Sequence, residues 1–117
     1  MADVEAEVAR FLCQATGADA FLDVPAGHPG EMLTVMRTGG GGGFLEPAYL
    51  DVDCWAPEGK GGRKAAQALA ERVKAAVPSL EDIEEVYGPT VENAYRNPDP
   101  DTGRKRYTVQ VELFICE

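Results

Sequence analysis

The sequence predicts an α+β fold in which two helices pack on a mainly antiparallel sheet. Two segments carry apolar residues at helical spacing, and the remaining apolar residues alternate along extended segments that turns join in pairs. The predicted order is helix, short strand, hairpin, helix, hairpin, and strands grouped in this way are typical of an α+β sandwich. No linker or internal repeat divides residues 1–117, so we expect a single domain.

The two helices are defined by caps and apolar stripes. The first is predicted to begin after Asp3, which can cap it, and to end at Gly17. Its apolar face holds Val4, Val8, Phe11, Leu12 and Ala15. The second lies in "GGRKAAQALAERVKAAVPS" and is predicted to end at Pro78. Its stripe consists of Ala65, Ala66, Leu69, Val73, Ala76 and Val77, and the alanines let the helix lie close to a sheet.

The strands are predicted from alternation. They are "MLTVMRT" (32–38), "YLDVDCWA" (49–56), a segment within "DIEEVYGPTVENAYR" (82–96) and "RYTVQVELFICE" (106–117), with a further short strand allowed in "AFLDVP" (20–25). Gly88-Pro89 interrupts the third of these and favours an edge strand or a bulge. "NPDPDTGRK" is the turn before the last strand. We class the predicted sandwich as ferredoxin-like, with long hairpin loops.

Composition excludes several classes of function. The chain carries 11 basic and 20 acidic residues, a net charge of −9, which argues against nucleic-acid binding as its main task. No segment approaches the roughly 18 apolar residues of a membrane span, and the acidic start "MADVEAEVARFL" is unlike a signal peptide. Cys13, Cys54 and Cys116 are odd in number and far apart, which favours free thiols in a reducing cytosol.

A run of five glycines, Gly39–Gly43, raises the question of a phosphate-binding loop. A Walker-type loop requires G-x-x-x-x-G-K-[ST] before a helix, so that backbone N–H groups meet the anion. Here Phe44 and a strand follow, with no lysine and no helix start. The run is therefore predicted to be the flexible tip of a long hairpin.

A second glycine-rich segment, "GKGGRK" (59–64), does lie between a strand and a helix. Lys60, Arg63 and Lys64 could hold an anion there. The segment fails the G-x-G-x-x-G pattern because position 64 is lysine, so a solvated basic loop or a partner contact is favoured over a nucleotide site.

The remaining candidates for chemistry also have plainer interpretations. Asp51 and Asp53 share one strand face and could serve acid–base catalysis, but alternate acids on a strand are typical of a solvated or partner-facing face. His28 is the one histidine, with no second metal ligand at a useful spacing. We therefore expect no enzyme, no metal and no cofactor.

Motifs along most of the chain carry a family resemblance. From about Asp3 to Glu112 they are a short helix, a strand ending in "MRTGG", a long loop before "AYLDVDCWAP", the helix "RKAAQALAERVKAAV" and the ending "GPTVENAYRNPDPDTGRKRYTVQVEL". This layout resembles the tail terminator (tail completion) proteins of long-tailed bacteriophages and prophages. In that family a basic-aromatic "R-x-R-Y" step follows a Pro-Asp turn, matched here by Arg104, Arg106 and Tyr107.

The resemblance implies a structural virion protein and no enzyme. Such proteins form a hexameric ring that caps the tail tube and joins it to the head connector. The implied partners are further copies of the chain, the tube protein and the connector protein. The implied location is the host cytoplasm during assembly and then the virion, with DNA passing through the ring without specific binding and no contact with a membrane.

Within such a ring we expect two sets of charged residues to differ in direction. Asp51 and Asp53 are expected to face the lumen or a partner, with a solvated outer surface as the alternative. The basic residues are expected to point outward or towards neighbouring subunits: Lys60, Arg63, Lys64, Arg104, Lys105 and Arg106.

Two other functions stay open at this point. A head-closure or head–tail adaptor component of the same particle would share the lack of catalytic residues. A small ligand-binding or enzymatic α+β domain would instead need an apolar pocket with perturbed carboxylates, for which Asp51 and Asp53 are the candidates.

Overall fold

The computed structural model describes residues 3–41, 44–59 and 61–116, and its architecture is α+β. The elements in chain order are α1 (Val4–Thr16), β1 (Asp19–Phe21), β2 (Met32–Gly40), β3 (Glu46–Trp55), α2 (Gly62–Ala76), a 3₁₀ helix (Val77–Asp82), β4 (Val86–Arg96) and β5 (Arg106–Ile115). The predicted order of helix, short strand, hairpin, helix and hairpin is confirmed. None of the described helices has the length and apolar character that crossing a membrane requires.

The sheet is mixed, which corrects the expectation of an antiparallel one in one place. Its strands lie in the order β1-β2-β3-β5-β4. β2 with β3, β3 with β5 and β5 with β4 are antiparallel, whereas β1 runs parallel to β2. The parallel pair arises because the chain between Phe21 and Met32 returns to the starting end of β1 before β2 begins.

The helix boundaries follow from local chemistry. The Asp3 carboxylate accepts a hydrogen bond from the Ala6 N–H at 3.0 Å, which begins α1, and Gly17 ends it at φ +80°. Pro78 ends the second helix as predicted, because α2 stops at Ala76 with Val77 as its C-cap. Pro78 itself lies in the first turn of the 3₁₀ helix that follows, where its missing N–H is not needed.

Both helices cover the same face of the sheet, and the core lies between the helices and this face. The most fully buried large side chains come from α1, α2, the 3₁₀ helix and alternate positions of β2, β3 and β5: Val8, Leu12, Leu33, Val35, Leu50, Val52, Leu69, Val73, Val77, Leu80 and Leu113. Arg72 on α2 joins the layers, because it donates to the Thr16 carbonyl at 2.8 Å and to the Glu31 carboxylate.

The glycine run is more ordered at its start than predicted. Gly39 and Gly40 belong to β2, and the Gly41 N–H donates to the Pro47 carbonyl at 3.0 Å. Arg37 fastens the base of this hairpin by donating to the Glu46 carboxylate at 2.8 Å and to the Pro47 carbonyl at 3.3 Å. Gly42 and Gly43, also predicted to be part of the flexible tip, lie outside the described residues.

Both edges of the sheet are modified. β1 pairs with only the first residues of β2, and beyond it the Glu5 carboxylate of α1 accepts the Arg37 N–H at 2.8 Å. At the other edge, the pairing of β4 with β5 shifts register between Tyr87 and Thr90, around Gly88-Pro89. The predicted edge strand with a bulge is thus confirmed.

We expect Gly40→Ala to destabilise the hairpin strongly. Gly40 has φ +105°, and a Cβ there would lie 2.0 Å from the Pro47 carbonyl oxygen, so the backbone has to move. The free energy of unfolding in urea should fall by about 3 kcal/mol.

Gly103→Ala is the matched control for this change. Gly103 also has a positive φ, +71°, but no atom lies within 4 Å of a Cβ there. Its cost should be the backbone term alone, about 1 kcal/mol. Equal losses for the two variants would contradict the tight packing of Gly40.

Candidate functional site

The face of the sheet opposite the helices, here called the open face, has no described helix across it. It is formed by the alternate strand residues that point away from the core: Met36 on β2, Tyr49, Asp51, Asp53 and Trp55 on β3, Tyr87 and Tyr95 on β4, and Thr108, Gln110, Glu112 and Phe114 on β5. The structure confirms that Asp51 and Asp53 lie on the face of β3 opposite to the face that carries Leu50 and Val52.

The open face has an acidic strip at its centre, formed by Asp51, Asp53 and Glu112 on the two central strands. Gln110 pairs with Asp51, and Glu112 pairs with Tyr49. Glu112 raises the pKa of the Tyr49 hydroxyl through a hydrogen bond and through its charge. The sequence predicted the shared face of Asp51 and Asp53, whereas Glu112 joins them through the pairing of β3 with β5.

Exposed apolar side chains flank the acidic strip on the outer strands. Met36 of β2 is 54% exposed, and Tyr87 and Tyr95 of β4 are 50% and 37% exposed. Covering apolar side chains of this size with another surface is favourable in free energy, because it removes apolar area from water. Grouped apolar exposure beside polar residues is typical of a protein-contact surface.

Asp53 is held more tightly than Asp51. The Thr108 hydroxyl donates to Asp53 Oδ1 at 2.7 Å, and the nearest guanidinium nitrogen of Arg106 lies 3.9 Å from Oδ2. Burial is the main cause of a raised pKa for the Asp53 carboxyl; Thr108 and Arg106 act in the opposite direction. The folded state therefore binds this proton more tightly than the unfolded chain does. The resulting stability is complete below the unfolded pKa and is lost as the pH rises through the folded pKa.

One end of the open face is a groove of about 770 Å³, here called the Trp55 groove. Its walls come from the loop after β1, the loop after β3 and the turn before β5, including Val24, His28, Glu58 and Thr102. Trp55 is 4% exposed, and its Nε1 donates to the Thr34 hydroxyl at 3.0 Å. The guanidinium groups of Arg104 and Arg106 lie 5.7 and 4.8 Å from the centre of its ring.

Arg104 connects three segments around this groove. It donates to the carbonyl oxygens of Ala56 at 2.8 Å, of His28 at 2.7 Å and of Gly30. Arg106 donates to the Asn97 carbonyl at 2.8 Å. The sequence predicted both arginines to contact neighbouring subunits or to point outward. The structure places both in contacts with their own chain.

The geometry offers no support for Cys54 as a nucleophile. Cys54 is buried on the helix side of β3, and burial raises the pKa of its thiol, the opposite of what a reactive thiolate needs. His28 hydrogen-bonds to Asp19 at 3.2 Å and packs edge-on against Phe21. Among the residues the structure describes, no cluster of three or more potential ligands could hold a metal ion.

Of the other basic residues that were predicted to contact partners, two lie at the start of α2. Arg63 and Lys64 are exposed in its first turn, whereas Lys60 lies outside the described residues. Arg63 lines a second cavity, of about 310 Å³, together with Arg96, Lys105 and Arg106. Sequence reasoning missed Arg96, because only the register of β4 against β5 brings it opposite Tyr107.

No protein-family model matches the chain, and no curated protein matches it either.

We expect Arg104→Lys to loosen the walls of the Trp55 groove. A lysine cannot donate to three divergent carbonyls, and buried acceptors left without partners should lower the free energy of unfolding by about 2 kcal/mol. Trp55 is the single tryptophan, so its emission should shift to the red as water enters. Arg63→Lys, at an exposed position, is the control and should change neither quantity. An unshifted spectrum with unchanged stability would contradict this role.

Proposed function

We propose that this protein is a structural component of a bacteriophage tail, a tail-terminator subunit that forms a hexameric ring. The ring caps the tail tube and joins it to the head connector. Its partners are further copies of itself, the tube protein and the connector protein. It assembles in the host cytoplasm and remains in the virion.

The observation that carries this proposal is the one-sided architecture. Two helices cover one face of the sheet, while the open face carries an acidic strip flanked by Met36, Tyr87 and Tyr95. Soluble monomers rarely expose such groups together unless another protein covers them. In a ring, neighbouring subunits can cover the apolar margins of the open face while the acidic strip faces the lumen.

We also infer that the sandwich is a ferredoxin-like arrangement with its chain order rotated. The four long strands lie in the order β2-β3-β5-β4, and β3, α2 and β4 form a split β-α-β unit with β5 between the two strands. In the rotated order, β5 takes the place of the first strand of a ferredoxin-like chain, and α1 takes the place of its first helix. β1 is an addition at the edge.

The second candidate function is a small ligand-binding domain, favoured by the Trp55 groove. Its volume of about 770 Å³ is in the range of small-molecule sites, and Trp55 and the partly buried Asp53 carboxyl both line it. A head-closure or head–tail adaptor is the alternative within the same particle and would share the open face.

We expect the purified protein to form rings with a mass of about six times the 12.5 kDa of one chain. Static light scattering over a concentration series measures this mass, alone and with tube protein. Met36→Glu places a charge on the apolar margin and should shift the distribution to the monomer. Gln67→Glu, an exposed change on α2, adds the same charge on the helix side and should leave the ring intact. A monomer at every concentration that also fails to bind tube protein would remove the terminator proposal.

We expect the assembled ring to leave duplex DNA unbound at low salt. Carboxylates in a lumen repel phosphate, whereas each lumenal cation adds affinity by releasing counterions. An electrophoretic shift assay should therefore show free DNA with the wild type. Gln110→Lys adds a cation beside the acidic strip and should retard DNA, while Gln67→Lys adds the same charge on α2 and should not. Tight binding by the wild-type ring would contradict an acidic lumen.

A further inference from the structure

Four of the six residues that line the cavity near the start of α2 are cationic. We call it the basic pocket; its lining is Arg63, Arg96, Pro98, Lys105, Arg106 and Tyr107, and its volume is about 310 Å³. No carboxylate is part of this lining. The concentration of positive charge is unexpected in a chain with 11 basic and 20 acidic residues.

The cations of the basic pocket are largely free to bind another molecule. Arg63, Arg96 and Lys105 are exposed, and none of them forms an ion pair with a described residue. Arg106 is the exception, since it contacts Asn97 and lies near Asp53. Three unpaired cations around one cavity repel each other, so an anionic group that enters it is stabilised by all three.

The opposite charge lies at the other end of β4. Glu81 and Asp82, the last residues of the 3₁₀ helix, and Glu84, just before β4, are here called the acidic turn. All three are exposed, and they form no ion pair with the described part of the chain. β4 runs from Val86 to Arg96, so strand geometry separates the acidic turn from the basic pocket by about 30 Å. The basic pocket and the acidic turn of a single chain therefore cannot contact each other.

We propose that the basic pocket of one copy of this chain binds the acidic turn of a second copy. Because the two surfaces differ, the contact is heterologous and runs head to tail, the type that closes into a ring on rotation. It also answers a physical difficulty: chains of charge −9 repel each other, and a contact that sets cations against carboxylates offsets this repulsion locally. The inference rests on the proposed ring and names the surfaces that join its subunits.

Zero-length cross-linking with a carbodiimide tests the contact directly. The reagent adds to a carboxylate to form an O-acylisourea, and the Lys105 amine attacks its acyl carbon, which forms an amide and releases the reagent as a urea. Only groups in contact are joined in this way. Mass spectrometry should find Lys105 linked to Glu81, Asp82 or Glu84. Such a link cannot form within one chain, since about 30 Å separates the two sites. Lys74, on the same chain but outside the pocket, is the internal control and should form no such link between copies. Absence of the Lys105 link in the assembled protein would overturn the proposal.

Charge reversal tests the energetics of the same contact. Arg63→Glu with Arg96→Glu reverses the pocket, and Glu81→Lys with Glu84→Lys reverses the turn. Each double variant alone should weaken self-association at least about tenfold, because like charges then meet. An equimolar mixture of the two variants should recover association, since the reversed pocket accepts the reversed turn and the unchanged ends still match. Failure of the mixture to recover, with both variants folded by circular dichroism, would overturn the proposal.

The outcomes separate this inference from the proposed function. Rings that form and lack both the Lys105 link and the sensitivity to charge reversal would leave the terminator proposal standing and remove this contact. A wild-type protein that stays monomeric at every concentration removes both. Binding of duplex DNA that is lost in the reversed-pocket variant would assign the pocket to phosphate and likewise overturn the proposal.

Discussion

The structure depends on the burial of two helices against a single face of the sheet. α1 and α2 supply Val8, Leu12, Leu69 and Val73 to a core whose other half is the inward face of β2, β3 and β5. Burial of apolar area is the main favourable term in folding, and in this protein it occurs on one face of the sheet. The open face does not have to form a core. It can therefore carry charged side chains, aromatic rings and a groove.

Much of the fold could be predicted from the sequence because local signals agree with the packing. Asp3 and Gly17 bound α1 as expected, and the faces of β3 and β5 follow the alternation of their residues. The apolar stripe of α1 predicts that Ala15 is buried, but Ala15 is exposed and Thr16 is buried instead. Its hydroxyl bonds to the Leu12 carbonyl at 2.7 Å and accepts from the Ala18 N–H, so the polar group is satisfied.

The candidate sites were harder to predict because they depend on register and on long-range contacts. The alternation of acids correctly set Asp51 and Asp53 on one face. Nothing local to Arg104 indicates that it bonds to carbonyls more than seventy positions earlier in the chain, at His28 and Gly30. The parallel pairing of β1 with β2 has the same origin, since a three-residue strand leaves almost no pattern in the sequence. Arg96 joined Arg63 and Lys105 only through folding.

The carboxylate of Glu5 on the Arg37 N–H has a consequence for how this protein behaves at high concentration. An unpaired strand edge is a template on which another chain can add as a further strand, and such growth leads to fibres. Here the β2 edge is occupied by a side chain of α1, and the β4 edge is irregular around Pro89, which has no N–H to donate. The two edges of the sheet are therefore poor templates for cross-β aggregation. A contact that this protein makes with another chain then falls to side chains, which can distinguish the right partner from the wrong one.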